Sequence, residues 1–203
     1  MPTFEYEEKH YSEGCAYVCG CDEAGRGPLC GPVVAAAVIL PRGCVIEGLD
    51  DSKKLNEKKR EKLYDVIIEK AVAYGIAEAS PSEIDEYNIL NASMIAMRRA
   101  KDMLDPPADF ALIDGNCSRG FDIPTETVVK GDSKSYSIAA ASILAKVTRD
   151  RGCAELDRLY PEYGIAKHKG YPTKDHMDAV RKYGPAPIYR RTFLKFLDKD
   201  ENT

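Results

Sequence analysis

Residues 33 to 40 read Val-Val-Ala-Ala-Ala-Val-Ile-Leu, the longest strictly apolar run in the chain. Gly31-Pro32 precede it and Pro41 ends it. A membrane helix needs ~20 such residues, so this run is too short to be one. Its β-branched content and its Gly/Pro boundaries mark a buried strand. Residues 16 to 21, Ala-Tyr-Val-Cys-Gly-Cys, form a second strand pattern close enough to pair with it. The 203 residues, 44% hydrophobic and 31% charged, suffice to bury a core without disulfides or metals holding it.

The rest of the chain alternates. Residues 56 to 71 are helical, with Asn56 as N-cap and Leu63, Val66, Ile67 and Lys70 at helical spacing. Residues 72 to 79 alternate as a strand. A short helix and a longer one follow over 80 to 105, stopped by Pro106-Pro107. Strands over 108 to 116 and 126 to 132 precede a long Ala-rich helix over 133 to 159, with Ile138, Ala141, Ala145 and Thr148 on one stripe. The remainder is helical, with one helix near 173 to 183. This order predicts an α/β fold with a mixed sheet. One domain is expected, with a core over about 14 to 160 and a basic helical extension over about 161 to 203. The polar, acidic N-terminus lacks the basic start and apolar stretch of a secretory signal, so a cytoplasmic location is expected. Seven cysteines in no CxxC pattern read as small core residues in a reducing compartment.

Three strand ends carry acids: Asp22 with Glu23, then Asp114, then Asp132. Side chains at such ends leave the core and meet in one crevice. Any one of these acids is ordinary turn chemistry. Together they would repel one another and call for a cation. Their hard oxygens suit Mg²⁺ or Mn²⁺, which both accept them. His10, His168 and His176 lie outside these turns, so Ser-His or Cys-His chemistry lacks support.

Gly25-Arg26-Gly27 follows the first acids. No Lys-Ser/Thr closes a phosphate loop there, and Pro28 and Pro32 interrupt the helix such a loop must open. A tight turn whose backbone meets a ligand fits better, with Arg26 free to meet a phosphate. Net charge is -4, yet residues 160 to 197 hold eight Lys/Arg against three acids, interleaved with Tyr163, Tyr171, Tyr183 and Tyr189. That local excess suits a polyanion, with tyrosines able to stack on bases or sugars.

Five blocks occur in order: "CDEAGRGPLCGPVVAAAVIL", "LDDSKKLNEKKREKL", "LIDGN", "VVKGDSKSYSIAAASILAKVTRDR" and "YGIAKHKGYPTKDH". Together they resemble bacterial ribonuclease HII, the type 2 ribonuclease H family. The resemblance implies a five-stranded mixed sheet of the ribonuclease H type, flanked by helices, with a C-terminal helical extension. It implies hydrolysis of the RNA strand of RNA–DNA hybrids, and incision 5′ of ribonucleotides embedded in duplex DNA. Products would carry a 3′-hydroxyl and a 5′-phosphate, and two metal ions would serve the reaction. The family's acids fall on Asp22, Glu23, Asp114 and Asp132. Its 2′-OH-reading backbone falls on Gly25, Arg26 and Gly27, and its junction-stacking tyrosine on Tyr171. Lys53 and Lys146 match basic family positions for phosphate contact or for support of the acids from behind. A monomer is expected. No sliding-clamp peptide is evident over 194 to 203, where "FLKFL" lacks the leading Gln. A junction nuclease of the same fold, or a non-catalytic hybrid-binding protein, are the rival readings.

Overall fold

A computed structural model describes residues 1 to 200, with side chains through 198. The last residues of the stretch searched for a clamp peptide lie outside the described residues. Five strands form one mixed sheet: β1 Val18–Ala24, β2 Val33–Ile39, β3 Ala73–Ala79, β4 Phe110–Asp114 and β5 Thr125–Val128. Their order is β3-β2-β1-β4-β5. β1 lies antiparallel to β2 and parallel to β4, so the central strand joins a hairpin-like half to a crossover half.

Both faces of β2 are apolar, as its sequence demands, because helices cover both. Cys19, Cys21, Ala35, Ala37, Ala111 and Ile113 face α3 (Pro81–Asp102). Ala36, Val38 and Leu40 pack on α2 (Glu57–Lys70) and α4 (Tyr136–Leu159) on the other side. Asn56 caps α2 by accepting from the Lys59 amide. Ser80 and Glu83 form a reciprocal capping box on α3. The expected break between two helices over 80 to 105 falls at Asn88, whose φ of 65° kinks α3. Two glycines let layers touch. A Cβ on Gly20 would lie 2.2 Å from the Ile138 nitrogen, and one on Gly75 would lie 2.0 Å from the Ala100 carbonyl oxygen.

Three boundaries differ from expectation. β1 runs on through Asp22 and Glu23, because both acids still pair with Ala36 and Ala35 of β2. β5 stops at Val128, and Asp132 sits beyond it in a single 3₁₀ turn, Gly131–Ser133. The N-terminus forms a helix, α1 (Glu5–Ser12), whose low apolar content concealed it. Buried Glu7 explains that helix: its carboxylate accepts from the Ser135 hydroxyl and the Ser137 amide at the start of α4.

After α4 come three short helices: α5 (Ile165–His168), α6 (Lys174–Tyr183) and α7 (Lys195–Asp200). They share an apolar cluster with Leu29, Cys30 and Cys153, so the extension packs on the segment between β1 and β2. All seven cysteines are free thiols. No helix among the described residues is long and apolar enough to cross a membrane.

Candidate active site

Parallel pairing places Cys21 beside Ile113. The next residues along, Asp22 and Asp114, therefore emerge level with each other, on the face covered by α4. Glu23 has the opposite strand parity, but it lies near the strand's end and still reaches the same opening. Asp22, Glu23 and Asp114 line one cavity of about 290 Å³, together with Gly25, Arg26, Gly27, Lys53, Lys146 and Tyr171. Asp132 does not line it; Lys53, which does, donates from Nζ to the Asp132 carboxylate at 2.9 Å.

The acids are costly where they stand. Burial, then the charges of Glu23 and Asp114, push the Asp22 pKa well above the usual carboxylate range; the Ser142 hydroxyl opposes this. Burial also raises Glu23, against the pull of Arg26, whose Nη1 lies 3.2 Å from Glu23 Oε1. Asp114 is raised by burial and by Asp132, although it accepts from the Gly131 amide at 2.6 Å. Burial disfavours the Lys53 cation, but the Asp132 hydrogen bond overrides it and raises its pKa. Among the described residues, no three His, Cys, Asp or Glu side chains already meet at ligating geometry. Arg26 and Lys53 draw Glu23 and Asp132 toward themselves instead. The donor set still fits a hard divalent cation: four carboxylates, three of them destabilised by burial and mutual repulsion.

The glycine turn faces these acids. Gly25 has φ 95°, a left-handed conformation that disfavours any side chain, and a Cβ there would meet Arg149 Nε at 2.8 Å. A Cβ on Gly27 would stand 3.2 Å from Tyr171 Cε1. Tyr171 is 45% exposed and forms the opposite wall. Lys146 reaches the cavity but already binds Asp150, at 2.7 Å.

Several residues behind the wall escaped sequence reasoning. Arg190, counted there among the surface cations, is fully buried. Arg149 is buried too and donates to the Cys30 carbonyl. His176 donates from Nδ1 to the Tyr171 carbonyl, and burial lowers its pKa, favouring the neutral ring whose Nε2 takes the Tyr189 hydroxyl. His168 stacks on it at 4.1 Å. Charge counting could not separate a buried cation from an exposed one.

A sequence model of the family described as Ribonuclease HII matches residues 19–197. The chain belongs to the ribonuclease HII family. A ribonuclease HII of Clostridioides difficile is 54% identical over 190 residues, covering 94% of this chain and 74% of that one. The crystal structure of ribonuclease H2 from Pyrococcus horikoshii superposes with a TM-score of 0.76 at 28% identity, covering 91% of this chain and 98% of that one. A ribonuclease HIII solved in complex with Mn²⁺ shares the fold, with a TM-score of 0.64 at 18% identity over 91% of this chain and 66% of that one. Family membership makes this chain an RNase H endonuclease, a hydrolase acting on RNA–DNA hybrids, and the mixed sheet with flanking helices is the fold of its relatives.

Proposed function

We propose that this ribonuclease HII incises duplex DNA 5′ of single embedded ribonucleotides, besides hydrolysing the RNA strand of hybrids. One observation carries the reading: Asp22, Glu23, Asp114, the Gly25–Gly27 backbone and Tyr171 all line the same cavity. The ribose 2′-OH is the group that distinguishes RNA from DNA, and it both donates and accepts. Backbone groups of Gly25, Arg26 and Gly27 would take it at close range, while the Tyr171 ring stacks on the neighbouring sugar. Arg26, Lys53 and Lys146 would take flanking phosphates.

Two divalent cations, Mg²⁺ or Mn²⁺, held by Asp22, Glu23, Asp114 and Asp132, would supply water activation and charge stabilisation at the leaving oxygen. The raised pKa values of Asp22, Glu23 and Asp114 support that assignment, since a bound cation is what relieves them. Ser52 and Ser142, hydroxyl to hydroxyl at 2.9 Å, brace the floor beneath Asp22. Cleavage leaves a 3′-hydroxyl and a 5′-phosphate.

The test uses a duplex with one ribonucleotide, its cut site mapped with Mg²⁺ and with Mn²⁺. Losing even an outer-shell partner of a metal ligand costs up to about 100-fold, so Asp22→Asn should cost at least about that. Near-parental cleavage by Asp22→Asn removes the acids from the site. Tyr171→Ala and Gly27→Ala should each depress single-ribonucleotide incision by about 10-fold or more while duplex affinity changes little. An all-DNA junction cut equally well would favour a junction nuclease instead.

A further inference from the structure

We propose that Arg190 is a positioning residue for ribonucleotide recognition: its guanidinium sets the separation between the Gly25–Gly27 backbone and the Tyr171 ring. The inference rests on the reading of those two walls given above.

A guanidinium carries five N–H donors and no acceptor. Arg190 uses all five, each on a different carbonyl. Nε donates to Gly31 at 2.9 Å. Nη1 donates to Arg26 at 3.0 Å and to Pro28 at 2.8 Å. Nη2 donates to Gly25 at 2.7 Å and to Pro32 at 3.1 Å. Every acceptor lies in the one turn that carries the glycines. A buried cation is expensive unless fully compensated. Here the turn's carbonyls supply that compensation, so the turn and the guanidinium hold each other in a single arrangement.

The same segment grips the other wall. Tyr189, next along the chain, gives its hydroxyl to His176 at 2.8 Å, and His176 holds the Tyr171 carbonyl at 2.9 Å. Backbone bonds complete the strap: Arg190 N to the Leu29 carbonyl, Gly31 N to that of Ile188, and Leu29 N to that of Gly170. Residues 188 to 190 are thus the shared anchor of both walls. The Arg149 guanidinium, also under the turn, repels Arg190, so the arrangement depends on full use of the five donors. Lysine keeps the charge but offers three donors on one nitrogen, which cannot span five carbonyls.

The test compares two substrates, so that an inactive fraction cancels. kcat/KM is measured on a duplex with one ribonucleotide and on a continuous RNA–DNA hybrid. A hybrid offers many registers and tolerates a displaced wall; a lone ribonucleotide does not. Small misplacements at a reacting centre cost up to about 100-fold. Arg190→Lys should lower the single-ribonucleotide-to-hybrid ratio by at least about 10-fold while the protein stays folded by circular dichroism. A ratio within about twofold of the parent overturns the proposal. Arg190→Gln is measured alongside; if both variants fail to fold, Arg190 is a global stabiliser and the proposal is likewise overturned. Gly27→Ala separates the two readings. If it lowers the ratio and Arg190→Lys does not, only the Arg190 inference fails. If Gly27→Ala leaves the ratio unchanged, the reading of the walls itself fails.

Discussion

At the scale of single residues, the site is held in a state that costs stability. Asp22, Glu23 and Asp114 all have raised pKa values. An acid whose folded pKa exceeds its unfolded one binds more protons when folded, so its contribution makes stability fall as pH rises through that range. The penalty grows as pH rises above the unfolded value unless a cation offsets it. Asp22→Asn, tested in chelator, is therefore expected to melt higher than the parent. A relief of about 1 kcal/mol corresponds to about 2–4 °C in Tm for a domain of this size. Added Mg²⁺ or Mn²⁺ should raise the parent's Tm and not the variant's. An Asp22→Asn protein that melts lower in chelator would contradict the repulsion. Asp22, Glu23 and Asp114 were legible as a group because successive strand ends of an α/β sheet open into one crevice. Arg190 was not, since nothing local marks a charge as buried when its partners are carbonyls distant in sequence.

Elements follow local rules closely. Caps at Asn56, Ser80 and Ser135 stand where polar residues precede apolar periodicity. Glu83 serves twice, in its cap and in an ion pair with Arg99, and the Arg99 and Ser80 hydrogen bonds pull its pKa down to about 2. The sign is the reverse of Asp22: this stabilisation is complete above the unfolded value near 4.5 and is lost as pH falls toward 2. Glu83→Gln should accordingly lower Tm at pH 7 by a few degrees, with the difference shrinking steadily below pH 4.5. Contacts between layers are sharper still. Gly20→Ala drives a methyl into the backbone of α4, and overpacking of this kind costs about 1–3 kcal/mol or more. A Tm drop of several degrees, measured with far-ultraviolet signal retained before melting, is the expected outcome. Helix α1 was not legible, because Glu7 is buried on a polar partner rather than an apolar one, and periodicity detects only the latter. β1 likewise outlasts its apolar pattern, since pairing to β2 continues after the side chains turn acidic.

For the molecule as a whole, the charge of -4 conceals an asymmetry. Arg26, Lys53, Lys146 and Lys169 all border the cavity that holds the acids. If those four meet phosphates, the logarithm of duplex affinity should fall against the logarithm of salt with a slope of about -3.6, from about 0.9 per contact. Charge-neutral replacement of one exposed member, Lys53→Gln, should flatten that slope by about one unit. An unchanged slope would move the nucleic acid elsewhere. The architecture itself was readable because apolar runs and helical periods are local. Its assembly was not: which turn the C-terminal segment straps down is decided by hydrogen bonds between residues far apart in the chain.

That distance has a consequence in time. Arg190 and Arg26 are 164 residues apart. At synthesis rates of about 5–20 residues per second, the glycine turn exists for roughly 8–33 s before its guanidinium is made. During that interval the acids and the turn are already in the nascent chain, but the guanidinium that binds the turn's carbonyls is not. The glycine turn therefore takes its final hydrogen-bonded form only after residue 190 has been added.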